Sequence, residues 1–409
     1  MENYGIQEVL TGKEKSNPNN SYLIVVPLER IPNRYTEEWR ESLIHKYEST
    51  PKSQEKLLIL SRTEARDKEQ KNFNSTLDML NCRYSQMIEL LKVVEHLGRE
   101  CKIRIFFMDV WSMGAEGIAY LRDLENYKNI KLEGFFHAGC WDSDDRLYAS
   151  KCSDWGVFFE LMMMRCLDTV YVGSDFSKKL LEEQYGECGN IEVVHPLEFP
   201  TISLPEMIKS AKSAITGSPD FISTLKELIP DEETPVIYFP HRMSDEKGVT
   251  EWELFKKIAK RRFAGRVVLI DNDFIIKNLN PNGLQKNEYH YLLLYVSSMV
   301  VSFAKQETYG ICMVEAITAG IPVVIPDRAS YRQVIVDGVG KSKGGYQFVL
   351  SSLSNIHKVN TRKLIQELEE VCDYLRKEGA VQSIKSHKAS LFEGGSKADD
   401  VRFEWLLKK

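Results

Sequence analysis

The feature that most constrains the fold is a regular alternation of short apolar runs with longer amphipathic stretches. The apolar runs are four to seven residues long, and the stretches between them have ten or more residues with apolar positions at helical spacing. Short strands that are apolar throughout are typical of parallel sheets covered by helices on both faces. The pattern predicts an α/β protein with these strands: Tyr22–Val26, Leu57–Leu60, Ile103–Met108, Leu132–Phe136, Thr169–Val172, Ile191–Val194, Val236–Phe239, Arg266–Ile270, Met299–Phe303, Pro322–Ile325 and Tyr346–Leu350.

A proline-rich interruption predicts where one domain ends. The chain has 409 residues, too many for one ordinary hydrophobic core. Prolines at 196, 200, 205, 219, 230 and 235 break the strand–helix rhythm. We therefore expect a first domain at 1–196, a linker at 197–234, a second domain at 235–380 and a helix at 381–409 that packs back toward the first domain. Ligands of open parallel sheets bind beyond the carboxyl ends of the strands, so a cleft between the domains is the expected site.

Composition excludes several classes of protein. The formal net charge of −5 disfavours a general nucleic-acid binder. No apolar run approaches the ~18 residues of a membrane-spanning helix, and residues 1–20 are polar, without the apolar segment of a signal peptide. The eight cysteines form no CxxC pair, so reduced thiols are expected. Together these features predict a cytoplasmic protein.

Two helices in the first half are expected to pack on the sheet. One begins near Ser177, and Ser174 is the expected N-cap residue before it. The other spans about 84–97 and repeats apolar residues at helical spacing. These residues are Met87, Leu90, Leu91, Val94 and Leu97.

The segment SFAKQETYGICMVEAITAGIPVVIPDRASY, residues 302–331, carries the most chemical information. Glu307 lies on the loop after a predicted strand, Gly310 opens a helix, and Glu315 lies eight positions after the first glutamate. An acid among apolar neighbours needs a hydrogen-bonding partner, such as ribose hydroxyls, and Glu307 could accept from sugar hydroxyls. The simpler interpretation is one capping and one solvated glutamate. At the positive end of this helix, four backbone amides could face a diphosphate: those of Tyr309, Gly310, Ile311 and Cys312.

This E-x7-E segment, followed by AGIPVV, resembles the donor-binding signature of retaining GT-B glycosyltransferases of the glycosyltransferase family 4 type. The resemblance covers a little over half of the chain, from about Phe135 onward. It implies two Rossmann-like domains, an N-terminal acceptor domain and a C-terminal domain for the nucleotide-sugar donor. The first 130 residues depart from the family pattern, since no glycine-rich loop follows the first strand.

The start of the second predicted domain supplies two cations. In the segment VIYFPHRMSDEKG, Arg242 and Lys247 follow a predicted strand. The resemblance implies that they bind the nucleotide diphosphate and neutralise the leaving group. Cations in a water-poor site are suited to that role, because charge builds on the β-phosphate oxygen as the glycosidic bond breaks. Taken without the resemblance, both residues are more typical of a solvated helix N-terminus.

The first domain supplies weaker candidates. His137 lies just beyond a predicted strand in GFFHAGCW, where the resemblance implies a histidine beside the donor sugar; alone it is typical of a loop histidine. Asp109 closes another strand and is a candidate of the same type. Arg30 and Arg34 lie where many family members have the glycine-rich loop, so they are candidate acceptor-binding residues or ordinary surface arginines.

The resemblance implies a metal-independent enzyme that transfers a sugar, with retention, from a nucleotide-diphosphate sugar to a hydroxyl acceptor. Its expected co-substrate is a UDP- or GDP-sugar, and the candidate catalytic residues are His137, Arg242, Lys247 and Glu307. No metal site is expected, because Asp142, Asp144 and Asp145 are interpreted as a polar loop.

Two alternatives stay open, a bacteriophage-type enzyme that glycosylates hydroxymethylated pyrimidines in DNA and a non-catalytic nucleotide-sugar-binding protein. The acceptor could be a glycan, a lipid-linked sugar, a small molecule or modified DNA. The sequence does not determine the oligomeric state.

Overall fold

A computed structural model of the chain divides it into two compact units. The structure describes these residues: 4–11, 17, 19–28, 35–50, 55–61, 76–112, 114–143, 145–186, 189–194, 224, 227, 234–275, 286–328, 330–340, 347–355 and 358–377.

The first unit contains a six-stranded parallel sheet with the strand order β2-β1-β3-β4-β5-β6. Its strands are β1 (Ser21–Val26), β2 (Glu55–Ile59), β3 (Lys102–Phe107), β4 (Ile130–Phe136), β5 (Thr169–Val172) and β6 (Ile191–Val193). Its helices are α1 (Ile6–Leu10), α2 (Tyr35–Ser49), α3 (Thr76–Leu97), α4 (Ala115–Leu124), α5 (Arg146–Ala149), α6 (Ser153–Cys166) and α7 (Asp175–Tyr185). Ser174 caps α7 by accepting the Ser177 N–H at 3.1 Å, as predicted.

One layer of helices covers one side of this sheet. From β2 to β6 every crossover runs in the same direction along the sheet, and right-handed crossovers place α3, α4, α6 and α7 on the same side. Their inward side chains form one core with the sheet, including Leu90, Ile118, Met163 and Leu181. The prediction for Leu91 was wrong, since it is 39% exposed while its neighbour Leu90 is buried.

A buried ion cluster connects three strands of the first sheet. The Arg104 guanidinium lies 2.6 Å from the Glu55 carboxylate and 2.8 Å from that of Glu133. Burial tends to raise the pKa of Glu133, but Arg104 and Lys131 outweigh it and hold that pKa below its usual value. Removing one partner would leave the other charge buried without compensation, which makes the cluster sensitive to single substitutions.

The second unit contains a five-stranded parallel sheet with the order β11-β10-β9-β7-β8. Its strands are β7 (Val236–Tyr238), β8 (Val268–Ile270), β9 (Met299–Val301), β10 (Val323–Pro326) and β11 (Gln347–Leu350). Its helices are α8 (Val249–Arg262), α9 (Asn272–Phe274), α10 (Lys286–Val296), α11 (Ile311–Thr318), a π-helix (Arg332–Gly340) and α12 (Thr361–Arg376), with 3-10 turns at Asp245–Lys247 and Ser351–Leu353.

The observed elements confirm the predicted α/β class. Each predicted strand is present within two residues of its expected bounds, and all pairings within the two sheets are parallel. The predicted linker at 197–234, except for Thr224, Glu227 and Thr234, lies outside the described residues, as does the predicted helix at 381–409. The domain boundaries therefore stay a prediction. No described helix is long and apolar enough to cross a membrane.

Gly248, which joins the 3-10 turn to α8, provides a test of the packing in the second unit. Its φ is +74°, and a Cβ at this position would collide with the Phe303 carbonyl oxygen. Gly265 has a similar φ of +81° with no atom within 4 Å of such a Cβ. We expect Gly265→Ala to lower the free energy of unfolding by about 1 kcal/mol through backbone strain alone. Gly248→Ala should lower the free energy of unfolding by about 2 kcal/mol more than Gly265→Ala does, because the added Cβ overpacks against Phe303.

Urea denaturation of both variants measures this difference. Equal losses for the two substitutions would show that Gly248 is required only for its backbone conformation.

Candidate functional site

The predicted donor-site residues of the second unit follow two adjacent parallel strands. Strands β7 and β9 are neighbours in the sheet, with Ile237 paired to Met299. Lys247 comes after β7 and Glu307 after β9. The carboxyl ends of parallel strands lie at the same edge, which is where open α/β sheets bind ligands.

Lys247 and Glu307 form the central contact at this edge. The Lys247 Nζ lies 3.3 Å from Glu307 Oε2 and donates a hydrogen bond of 2.9 Å to the Gln306 carbonyl. Both side chains are mostly buried. The structure thus brings together two residues that are 60 positions apart in the sequence and were both predicted to act at the donor site.

The other Glu307 oxygen lies at the N-terminus of α11. Its Oε1 accepts the Gly310 N–H at 3.1 Å and that of Tyr309 at 3.5 Å. Burial tends to raise the pKa of Glu307, but the Lys247 charge and the Gly310 N–H outweigh it and hold that pKa below its usual value. Two of the four amides expected to face a diphosphate therefore bind a carboxylate of the chain itself, so Glu307 caps this helix, as the simpler interpretation expected of one of the two glutamates. The helix N-terminus is an anion-binding position in this structure.

Arg242 forms an ion pair with Glu246 rather than with Glu307. Its side chain is 53% exposed, and its Nε lies 2.6 Å from Glu246 Oε1. Glu246 also accepts from Ser244 Oγ at 2.8 Å. Arg242 is thus a surface ion pair here, with a cation positioned near the start of α8.

Glu315 is buried on α11 and bonded to α10. Its Oε2 lies 3.1 Å from His290 Nε2, and its Oε1 accepts from the Tyr291 hydroxyl at 3.5 Å. The His290 Nδ1 lies 3.0 Å from the Tyr238 hydroxyl on β7. The expectation that this acid needs hydrogen-bonding partners is confirmed, and the solvated alternative for Glu315 is wrong, because only 4% of the residue is exposed. Sequence reasoning did not identify His290 or Tyr291.

One group of possible metal ligands lies in the same place. Within the described part of the chain, His290, Cys312 and Glu315 place a ring nitrogen, a thiol sulfur and a carboxylate oxygen within 4.8 Å of one another. Zinc accepts all three ligand types. The expectation of metal independence therefore needs a direct test at this group.

His241 is a buried histidine beside the central pair that sequence reasoning also missed. Its Nε2 lies 2.8 Å from Ser302 Oγ, which in turn lies 2.6 Å from the Tyr331 hydroxyl. Burial and the nearby Lys247 charge lower the pKa of His241 to about 3, so the ring is neutral at neutral pH. The only sequence signal was its position directly before Arg242, just beyond a strand.

The first-unit candidates lie at the carboxyl edge of the first sheet. The His137 Nε2 lies 2.7 Å from the Met108 carbonyl, which can only accept, so this nitrogen carries the proton. Its ring packs 4.6 Å from that of Phe135 and 4.9 Å from that of Trp39. Asp109 accepts the Trp111 N–H at 3.0 Å and lies 3.7 Å from Arg83. The candidates Arg30 and Arg34 lie outside the described residues.

Comparison with solved structures identifies similar folds. The chain is similar to the UDP-forming α,α-trehalose-phosphate synthase of Burkholderia vietnamiensis, with a TM-score of 0.54, 11% identity and coverage of 95% of this chain and 98% of that one. The Burkholderia xenovorans protein of the same description, in complex with glucose-6-phosphate, gives a TM-score of 0.54 at 11% identity, covering 91% and 96%. A trehalose-6-phosphate protein from E. coli bound with UDP-2-fluoro glucose gives 0.52 at 10% identity, covering 91% and 96%.

These similarities establish the fold. At 10–11% identity they confirm the predicted class, an α/β protein with two parallel-sheet domains of the GT-B type. No protein-family model and no curated protein sequence matches the chain.

The buried His241 makes stability depend on pH. Because its pKa of about 3 in the folded state lies below its ordinary 6.5, the unfolded chain binds more protons between these values. Stability is therefore lost as the pH falls through this window, by about 2 kcal/mol at pH 5. We expect His241→Gln to flatten this pH dependence, as measured by urea denaturation from pH 7 to pH 5.

His45→Gln, which removes an exposed histidine from α2, is the matched control and should keep the wild-type slope. A wild-type slope in His241→Gln would show that another group causes the pH dependence.

Proposed function

We propose that this protein is a retaining glycosyltransferase that moves a sugar from a nucleotide-diphosphate sugar to a hydroxyl acceptor. The observation that carries the proposal is the Lys247–Glu307 pair at the N-terminus of α11, beside the carboxyl ends of β7 and β9. A diphosphate bound here would share the Lys247 ammonium and the helix N-terminus with the Glu307 carboxylate, which binds both. The similarity in fold to trehalose-phosphate synthases supports the same activity class.

The donor in this proposal is a UDP-sugar. The two Burkholderia neighbours are described as UDP-forming, and the E. coli neighbour was solved with UDP-2-fluoro glucose. A GDP-sugar is the alternative donor. The placement in glycosyltransferase family 4 rests on the E-x7-E motif and is part of the proposal. The bacteriophage-type enzyme that acts on hydroxymethylated pyrimidines in DNA stays the alternative.

Each site residue has a proposed role. Glu315 binds the ribose hydroxyls, and Lys247 and Arg242 bind the diphosphate. Glu307 accepts from hydroxyls of the transferred sugar. The remaining donor contacts are the amides at the start of α11. His137 is proposed to lie against the reacting sugar, and Asp109, Arg30 and Arg34 to serve the acceptor.

The reaction places its largest charge change on the leaving diphosphate. The bond between the anomeric carbon and the β-phosphate oxygen breaks, while the acceptor oxygen forms the new bond and its proton passes to the departing β-phosphate oxygen. Lys247 is held in place by Gln306 and Glu307, so its ammonium needs little reorganisation to meet this charge. A positioned donor of this kind is worth about 3 kcal/mol in the transition state.

A thermal-shift panel tests the donor assignment. UDP, GDP, ADP, dTDP and their common sugar conjugates are each added to the purified protein, with and without EDTA. We expect a specific rise in melting temperature with the uridine compounds that EDTA does not reduce, because a ligand of the native state stabilises it. If no nucleotide raises the melting temperature, the assignment of a donor site loses its support. A rise that EDTA abolishes would contradict metal independence and point to His290, Cys312 and Glu315.

Turnover is measured next with the donor that the panel identifies and glucose-6-phosphate as the first acceptor. The choice of acceptor follows from the Burkholderia xenovorans neighbour, which was solved with that sugar phosphate. Other acceptor classes to be tried are glycans, lipid-linked sugars and modified DNA. Donor binding without transfer to any acceptor or to water would favour the non-catalytic alternative.

Substitution of Lys247 tests its role in the leaving-group step. We expect Lys247→Met to lower turnover about 100-fold or more, because the developing diphosphate charge loses its cation. Lys260→Met, at an exposed position of α8, removes the same charge away from the site and should keep wild-type turnover. Wild-type turnover by Lys247→Met would reject the assigned role.

A further inference from the structure

The helices of the first unit carry an apolar outer surface. Among the residues that the structure describes, every large hydrophobic side chain that is exposed lies on α3, α4, α5 or α6, with exposures of 37–71%. We call this set the apolar face. Its members are Leu77, Tyr84, Ile88, Leu91, Tyr120, Leu124, Tyr148, Trp155, Phe158 and Met162.

These side chains lie on one side of the unit. Because α3, α4 and α6 cover the same side of the sheet and bury their opposite faces in one core, their outer faces all point away from it. The three helices are also neighbours. Met87 of α3 fills the space beside Gly114 and Gly117 at the start of α4, and α4 packs against α6. The short helix α5 packs against α6 as well. The apolar face therefore extends over neighbouring helices on one side of the unit.

On α3 the exposed apolar residues are not scattered singly over the helix surface. On α3, Leu77, Tyr84, Ile88 and Leu91 are separated by seven, four and three positions. This spacing places them on one stripe of the helix, opposite the stripe that packs on the sheet. A surface helix of a monomer normally presents polar residues there.

The area of the apolar face matches the requirement of a stable interface. A covered aromatic side chain buries about 150–250 Å², so the five partly exposed aromatic rings alone present about 500 Å² of surface. Five aliphatic side chains add to this area. A standard interface buries about 800 Å² on each partner, and contiguous apolar patches beyond a few hundred Å² mark interaction sites.

The charges around the apolar face favour a protein partner over an anionic membrane. The exposed charged residues that the structure describes on α3, α4 and α6 are three acids and two bases, without a cluster of cations in the sequence of any of these helices. They are Lys92, Glu95, Asp123, Asp154 and Arg165. A face that binds anionic lipid headgroups carries a cluster of cations. By contrast, enrichment in Tyr, Trp, Phe and Met with few charges is the composition of protein interface cores.

We propose that the apolar face is the interface of a homodimer, covered by the same face of a second copy of this chain. In a two-fold interface each copy presents the same patch, so an apolar face of sufficient area is its own complement. The proposal does not depend on the proposed enzymatic activity.

The oligomeric state of the full chain tests this proposal. Sedimentation equilibrium over a range of protein concentrations should give a mass near twice the 47.1 kDa of one chain. Phe158→Asp and Ile88→Asp each place two carboxylates in a two-fold interface, and each should weaken the dimer at least tenfold. Gln184→Asp, at an exposed position of α7 outside the apolar face, adds the same charge and should keep the wild-type dimer.

Circular dichroism and melting temperature establish that each variant is folded, and if one variant is not, the other decides. A wild-type protein that is monomeric at all concentrations would overturn the proposal. Folded variants with the wild-type dimer affinity would also overturn it. A monomer that co-sediments with phosphatidylcholine vesicles would assign the apolar face to a lipid surface instead.

Discussion

The ion pair between Lys247 and Glu307 is the contact on which the candidate site depends. It connects the segments after two adjacent strands, and the same glutamate binds the first amides of α11. Both groups are mostly buried, so removing either would leave the other charge without compensation. The positions of the helix N-terminus, the ammonium and the carboxylate are thus set together. A diphosphate entering this place would share the cation and the helix dipole with the Glu307 carboxylate.

Two series of hydrogen-bonded, largely buried side chains lie in the same unit as that pair. One runs from His241 through Ser302 to Tyr331, and the other joins Glu315 to Tyr238 through His290. Buried polar groups that are bonded in this way hold fixed positions, since breaking any contact leaves an unsatisfied group. Such rigidity is what a site needs if its groups are to stabilise charge without reorganising.

The two units use their helices differently. In the second unit the polar groups of interest lie at the strand ends, where a small ligand can be bound. In the first unit the noteworthy surface is the outer side of the helix layer, where aromatic and aliphatic side chains remain exposed. Exposure of such an apolar face to water is unfavourable in free energy. Covering it with a partner would be favourable in proportion to the apolar area that is buried. The protein thus combines an internal polar site with an external apolar surface.

The sequence by itself determined the strands, their parallel class and the positions of Glu307, Gly310 and Glu315, because short apolar runs and helix starts are local signals. Only the tertiary structure decided which groups these residues meet. It paired Arg242 with Glu246, Glu315 with His290, and turned Leu91 outward. These outcomes depend on how segments up to 25 residues apart approach one another and on the rotation of each helix over the sheet. A local apolar pattern shows that a segment is helical. The residues that its side chains contact depend on the packing of the whole unit.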